Sequence, residues 1–237
     1  MVSISFFQYK GFKQRWWAFK QMRQATAVLK KVEGLSFTKL LGSGGKQGFG
    51  ILPNWGLYGL LGVWNNADAA HNFFNHHPLL LDFKSRSICY QHIFLEPLSS
   101  HGKWDGQEPF ANPKQKTAGK IAVITRAKIK LSKLWQFWRF VSPASKDMQN
   151  KDGLIFSVGI GEIPLIQQAT FSIWENSEKM MQYAYKSPQH TQVIQKTKEL
   201  NWYSEALFAR FAVEGTEGNC DTFCPSVCTP ESNKIIY

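Results

Sequence analysis

The chain has 237 residues, 43% of them hydrophobic and 14% aromatic, so it has material for a sizeable core and needs no covalent staples to fold. Its longest apolar run, residues 51–64, is broken by Pro53 and Asn54 and falls short of the ~20 residues of a membrane-crossing helix; residues 4–7 are too short for the core of a secretory signal. The net charge of +11 is uneven: residues 1–32 carry seven Lys/Arg and residues 111–139 carry eight, with no acid in either stretch, which points to a solvated basic face or to an anionic membrane, a nucleic acid or an acidic protein.

In chain order, residues 3–9 (SISFFQY) read as a strand and residues 15–32 as a helix closed by Gly34. A strand at 35–41, a glycine-rich loop at 42–54, a strand at 55–64, a helix at 67–86 containing Pro78, and a strand at 88–95 complete a βαββαβ unit. Residues 99–118 have the Gly, Pro, Asn and Ser content of a linker. The pattern then recurs: strand 120–130, helix 131–140, strands 154–161 and 167–175, helical segments 177–185 and 188–200, and strand 207–213. Adding 119 carries Trp16 to Trp135, Gly34 to Gly153 and Gly42 to Gly161; beyond the glycine-rich loop the offset becomes 110, carrying Trp64 to Trp174 and Pro78 to Pro188. One insertion of nine residues reconciles the two offsets. The expected fold is therefore α+β: duplicated ferredoxin-like βαββαβ halves forming a dimeric α+β barrel-like architecture. The first half is residues 1–98, the linker 99–118, the second half 119–215, and 216–237 is expected to be a disordered tail.

The centre of the second half is the stretch GLIFSVGIGEIPLIQQATFSIW, residues 153–174. It alternates so that Gln168, Thr170, Ser172 and Trp174 share one strand face, with Ala169, Phe171 and Ile173 on the other. Ser187-Pro188 reads as a helix N-cap followed by proline in the first turn, which sets His190, Val193, Ile194 and Thr197 on one helix face. A buried, backbone-bonded histidine would fit His190 as well as a ligand would.

Several motifs fail. The glycine-rich loop lacks the Gly and Ser/Thr positions of a Walker loop and the third glycine of a dinucleotide fingerprint. Lys46-Gln47-Gly48-Phe49-Gly50 is similar to an RNA-binding signature, but Pro53 and Asn54 interrupt the strand that should carry it, which argues against nucleic acid. Cys220, Cys224 and Cys228 are spaced C-x3-C-x3-C, which matches no common zinc or iron–sulfur pattern, and with Cys89 they make no evident disulfide framework, so a reducing compartment is expected.

The blocks SISFFQYKGFKQRWWAFKQM, KLLGSGGKQGF, LPNWGLYGLLGVW, LSSHGKWDGQEPF, GKIAVITRAKIK, FSVGIGEIPLIQQATFSIWE and YSEALFARF, in this order, resemble the spheroidene monooxygenase family of acyclic carotenoid 2-ketolases. The similarity runs from about Ser3 to Gly215. It implies a haem-dependent monooxygenase that hydroxylates acyclic carotenoids at C2 with O2 and, after a second hydroxylation and loss of water, leaves a 2-ketone, as from spheroidene to spheroidenone. Reduced ferredoxin would supply electrons. His190 is the candidate iron ligand, with Arg126, Gln168 and Thr170 as candidate residues of the oxygen and cofactor pocket, Arg126 as a donor to oxygen or a propionate partner. The implied location is cytoplasmic, with peripheral contact at the inner face of the membrane. Two rival readings are a cofactor-free or quinone-forming monooxygenase on the same barrel, and a basic lipid- or RNA-binding module.

Overall fold

The structure, a computed structural model, describes residues 1–45, 53–110, 119–147, 151–186, 195–197 and 199–219, with backbone alone for 141–147 and 186. The chain divides into two compact units. The first takes Met1–Gly42, Asn54–Glu96 and the residues from Glu214 onward; the second takes Ser43–Pro53 and Pro97–Val213.

In the first unit β1 (Val2–Gln8) is followed by α1 (Phe12–Leu29), β2 (Leu35–Gly44), β3 (Pro53–Trp64), α2 (Ala67–His76), α3 (Pro78–Arg86) and β4 (Cys89–Gly102). β1 lies between β3 and β4, antiparallel to both, with Ser5 opposite Leu60 on one side and His92 on the other. The strand order is β4-β1-β3-β2. The helix expected over residues 67–86 is two helices, because Pro78 has no N–H to give and clashes with a preceding turn. His77 turns extended between them, and its Nδ1 accepts from Leu79 N at 3.2 Å, capping α3. The helices bury Leu29, Phe73, Phe74, Leu80 and Phe83 against Phe7, Tyr58, Leu60 and Trp64 of the sheet. This helix-facing side carries the core of the unit.

The second unit runs β5 (Ile121–Ile129), a short 3-10 turn (Leu131–Lys133), α4 (Leu134–Asp147), β6 (Leu154–Ile163), β7 (Gln167–Trp174), α5 (Ser177–Lys186) and β8 (Tyr203–Gly218). β5 pairs antiparallel with β7 and β8, and β7 with β6, in the order β6-β7-β5-β8. Of the helix expected over 188–200, residues 195–197 and 199–200 are helical; the rest, His190 included, lies outside the described residues.

Local contacts recur between the units at the two sequence offsets. Gly34 and Gly153 both have φ of +75°, where a side chain is strained, and a Cβ at either would meet Ala69 Cβ at 2.4 Å or Lys179 Cβ at 2.5 Å. Their carbonyls accept from Asn65 N at 2.8 Å and Glu175 N at 2.9 Å. Asn66 and Asn176 cap the next helix alike, accepting from Ala69 N at 2.8 Å and Lys179 N at 2.9 Å. Trp64 and Trp174 each donate to a buried serine, but not to equivalent ones: Ser3 lies on the neighbouring strand at 2.8 Å and Ser172 on the strand of Trp174 itself at 3.0 Å.

Two expectations need correcting. The stretch read from composition as linker is partly built: β4 continues to Gly102, Trp104 bridges Gln107, and Trp104 and Phe110 are each 1% exposed. Polar composition hid two aromatic anchors. Cys89 is disulfide-bonded, although the cysteine spacing gave no framework; spacing along the chain says nothing of which thiols meet in space. Cys220, Cys224 and Cys228 lie outside the described residues.

Candidate functional site

The two faces of the second sheet differ sharply. On one, Ala122, Ile124, Ala169, Phe171, Ile173, Leu207, Ala209 and Phe211 are all buried. On the other, two clusters pack at separate places: Ile121, Val123 and Trp174 with Met180 of α5, and Ile129 with Phe137 of α4 and Trp202.

Between those clusters the register aligns Gly159 of β6, Thr170 of β7, Thr125 of β5 and Phe208 of β8 in one row across four strands. The adjoining row is Gly161, Gln168, Ala127 and Ala206. Small side chains dominate both rows. Thr125 is exposed in mid-sheet, Thr170 and Gln168 are half-buried, and Phe208 is 37% exposed. In the first unit the comparable mid-sheet row, Leu60, Ser5 and His92, lies under helices and is buried. Among the described residues this face is least covered at Thr125, Ala206 and Phe208, while Gly159 and Ala127 are buried; floored by Gly, Ala and Thr and flanked by aromatic clusters, it has the form of a flat pocket wall.

Gln168 and Thr170 both stand on this open face. Arg126 does not. It is paired with Ala169 and Leu207 in register, so its side chain is on the buried face, and grouping it with Gln168 and Thr170 as one wall does not hold. The residue numbers carry no register between strands, so only the pairing separates them.

Arg126 is 1% exposed and its guanidinium is engaged by carboxylates. Nη1 donates to Glu205 Oε1, and Nη2 lies 3.1 Å from Asp105 Oδ1 and 3.5 Å from Glu162 Oε1. Its guanidinium carbon sits 5.4 Å from the centre of the Trp104 ring, whose Nε1 donates to Glu162 at 2.7 Å. Glu205 also accepts from Asp105 N at 2.9 Å and Gly106 N at 2.7 Å. Burial raises the Glu205 carboxyl, but these backbone donors and Arg126 outweigh it and hold the group below its ordinary range. Gly102, at φ +90°, lets the chain pass Ala206 O where a Cβ would come within 2.1 Å. The Trp-Asp-Gly block is thus a lock that ties residues 99–110 to β5, β6 and β8. The guanidinium faces three carboxylates, while its Nε is buried without a hydrogen-bond partner among the described residues. Asp105, Glu162 and Glu205 were not legible as its partners; the one available signal was an arginine in an otherwise apolar strand, which must find acceptors if buried.

Among the described histidines, His92 is fully buried in the first unit, shares a 2.7 Å hydrogen bond with Ser5 Oγ, and leaves Nε2 without a partner. Phe74 stands 4.7 Å from its ring. Burial, then Lys84, pushes it down to about 3, so it is neutral at pH 7. His77 caps α3, and His71 is bonded to Asn75.

No family profile matches the chain. Among solved structures, an aldoxime dehydratase shares the fold at 14% identity, with a TM-score of 0.52 over 90% of this chain and 81% of that one. Among curated proteins, the chain is 35% identical over 221 residues to the spheroidene monooxygenase of Cereibacter sphaeroides, covering 92% of this chain and 68% of that protein. It is 33% identical over 223 residues to the spheroidene monooxygenase of Rhodobacter capsulatus, covering 92% of each. Similar over 92% of its length to both relatives, at 35% and 33% identity, the chain belongs to the spheroidene monooxygenase family.

Proposed function

We propose that this protein is a carotenoid monooxygenase that hydroxylates an acyclic carotenoid at C2 and carries the same carbon on to the ketone. The names of its full-length relatives support the substrate class. The observation that carries the site is the open helix-side face of the second sheet, with Thr125, Gln168 and Thr170 presented among small residues. We read the two units as duplicated ferredoxin-like halves in a dimeric α+β barrel-like architecture, supported by the recurrent glycine turns and asparagine caps.

The cofactor in this reading is haem. No three His, Cys, Asp or Glu side chains among the described residues converge on a metal. Haem, however, requires one protein ligand to iron and a flat, mostly apolar slot, and the Gly159, Gly161, Ala127 and Ala206 floor fits a planar group. When bound, haem would supply the activation of O2, with reduced ferredoxin as the electron donor. His190 is the proposed ligand. Gln168 and Thr170 would orient the pocket's polar groups by hydrogen bonding, Thr170 as donor or acceptor and Gln168 as both. The flanking clusters around Trp174 and Trp202 would exclude water and offer an apolar channel to a polyene. Each hydroxylation replaces a C–H by C–OH, one oxygen atom going to the carbon and the other to water with two electrons and two protons; two rounds on one carbon give a gem-diol that loses water to leave the ketone.

The test is to produce the protein with ample haem, record its absorption, and supply an acyclic carotenoid with O2 and reduced ferredoxin. A Soret band and a product gaining one oxygen for two hydrogens are expected. Colourless protein that still oxidises the substrate would favour the cofactor-free alternative, and no carotenoid product would overturn the substrate assignment.

A further inference from the structure

The first helix carries a feature that neither the core nor the proposed site uses. Along α1, Phe12 is 85% exposed, Trp16 50% and Phe19 41%, at the i, i+4, i+7 spacing that puts them in one stripe. The helix buries its other side, through Ala18, Ala25 and Leu29. The stripe extends on to the sheet: Phe19 and Trp55 meet edge to face at 4.9 Å, and Trp55 is 47% exposed. Four aromatic side chains in one exposed, continuous band are more than scattered surface residues require.

Charge surrounds this band. Lys13 and Lys20 flank it on one side and Arg15 on the other, Arg23 continues its line one turn on, and all four are exposed. The helix contains no acid. The 3-10 turn and the start of α4 in the second unit repeat the combination. The offset of 119 carries Phe12 to Leu131 and Trp16 to Trp135, which are 71% and 77% exposed, and Arg139 lies over the Trp135 ring at 5.5 Å.

From this we infer that the α1 face, Phe12, Trp16, Phe19 and Trp55 with their flanking Lys13, Lys20 and Arg23, docks on an anionic lipid surface. Aromatic rings settle at the headgroup level, and lysine and arginine reach anionic headgroups from the same depth, so one surface satisfies both halves of the patch. A second copy of the chain would set two acid-free basic helices against each other. An acidic protein would meet the cations but leave Phe12 and Trp16 against polar groups. The inference goes beyond the carotenoid reading and does not depend on it.

Sedimentation with vesicles free of carotenoid tests it. Wild-type protein is expected to pellet with vesicles of phosphatidylcholine containing phosphatidylglycerol, weakly with pure phosphatidylcholine, and less as salt rises. Lys13→Gln with Lys20→Gln should lower the partition coefficient by about twenty-five-fold, at about fivefold for each cation near the surface. Phe12→Ser with Trp16→Ser, both at exposed positions and checked for fold by circular dichroism, should lower it by at least as much. Wild-type protein that stays in solution with anionic vesicles, or a Phe12/Trp16 variant that binds as wild type, overturns the inference. Concentration-dependent dimerisation lost in the same variant, without vesicle binding, would also overturn it in favour of a second copy. Because no carotenoid is present, the outcome is separate from that of the turnover assay.

Discussion

Replacing Arg126 by methionine tests the ionic lock of the second unit. Methionine keeps much of the buried stem and its contact with Trp104, and removes only the charge and the donors. What remains is Glu205 with two backbone donors, Glu162 with the Trp104 indole, and Asp105, each having lost the guanidinium. Breaking a buried ion pair from one side costs about 3–5 kcal/mol. Asp105, at 38% exposed, reaches water and adds little, and Glu162 and Glu205 at 17% and 20% are screened in part, so the lower end, about 3 kcal/mol, is expected. For a chain of this size that lowers Tm by roughly 6–12 °C. Urea unfolding followed by tryptophan fluorescence measures it. The pH dependence gives a second readout. Glu205 is held below its ordinary range in the folded protein, so its stabilising contribution is present above the unfolded carboxylate value and is lost as pH falls through the depressed folded value. The wild-type advantage over Arg126→Met should be full near pH 7 and shrink below about pH 4. Adding Glu205→Gln to the variant should recover part of the loss, as coupled partners do. A deficit below about 1 kcal/mol at pH 7, or one that stays undiminished well below about pH 4, would refute the lock.

Three further outcomes follow from the proposed site and from the cysteines. Thr170→Phe puts a ring into the open row beside Gly159 and Thr125; it should leave urea stability within about 1.5 kcal/mol while haem content and turnover fall, turnover on the order of a hundredfold. Unchanged activity would place the pocket elsewhere. His190→Ala should fold yet lose the Soret band, with partial recovery on adding imidazole, and a wild-type spectrum would move the search to His92, whose Nε2 has no partner. With Cys89 in a disulfide, thiol titration of protein unfolded without reductant should find no more than two of the four cysteines free; four free thiols would contradict the pairing.

The elements were legible because each is set by neighbours in sequence. Alternation of apolar and polar residues marks the strands, Asn66 and Asn176 mark helix starts, and Gly34 and Gly153 supply the left-handed turns before β2 and β6. The residue matches at offsets of 119 and 110 were legible for the same reason, since they compare residues and require no coordinates. The split at Pro78 was half-legible: proline announced a break, but His77 as the cap of α3 needed the turn itself.

What the sequence could not determine is everything that depends on register and on distant partners. Arg126 meets Asp105 at a separation of 21 residues and Glu205 at 79, and whether it shares a face with Gln168 depends on β5 pairing Ala127, not Arg126, with Gln168. A shift of one residue would reverse that answer, because strand side chains alternate with a period of two. Likewise the sequence supplies Gly159, Thr170, Thr125 and Phe208 on four separate strands; only their alignment in one row makes an open floor, since nothing in the local energetics of a strand records which residues its neighbours will set beside it.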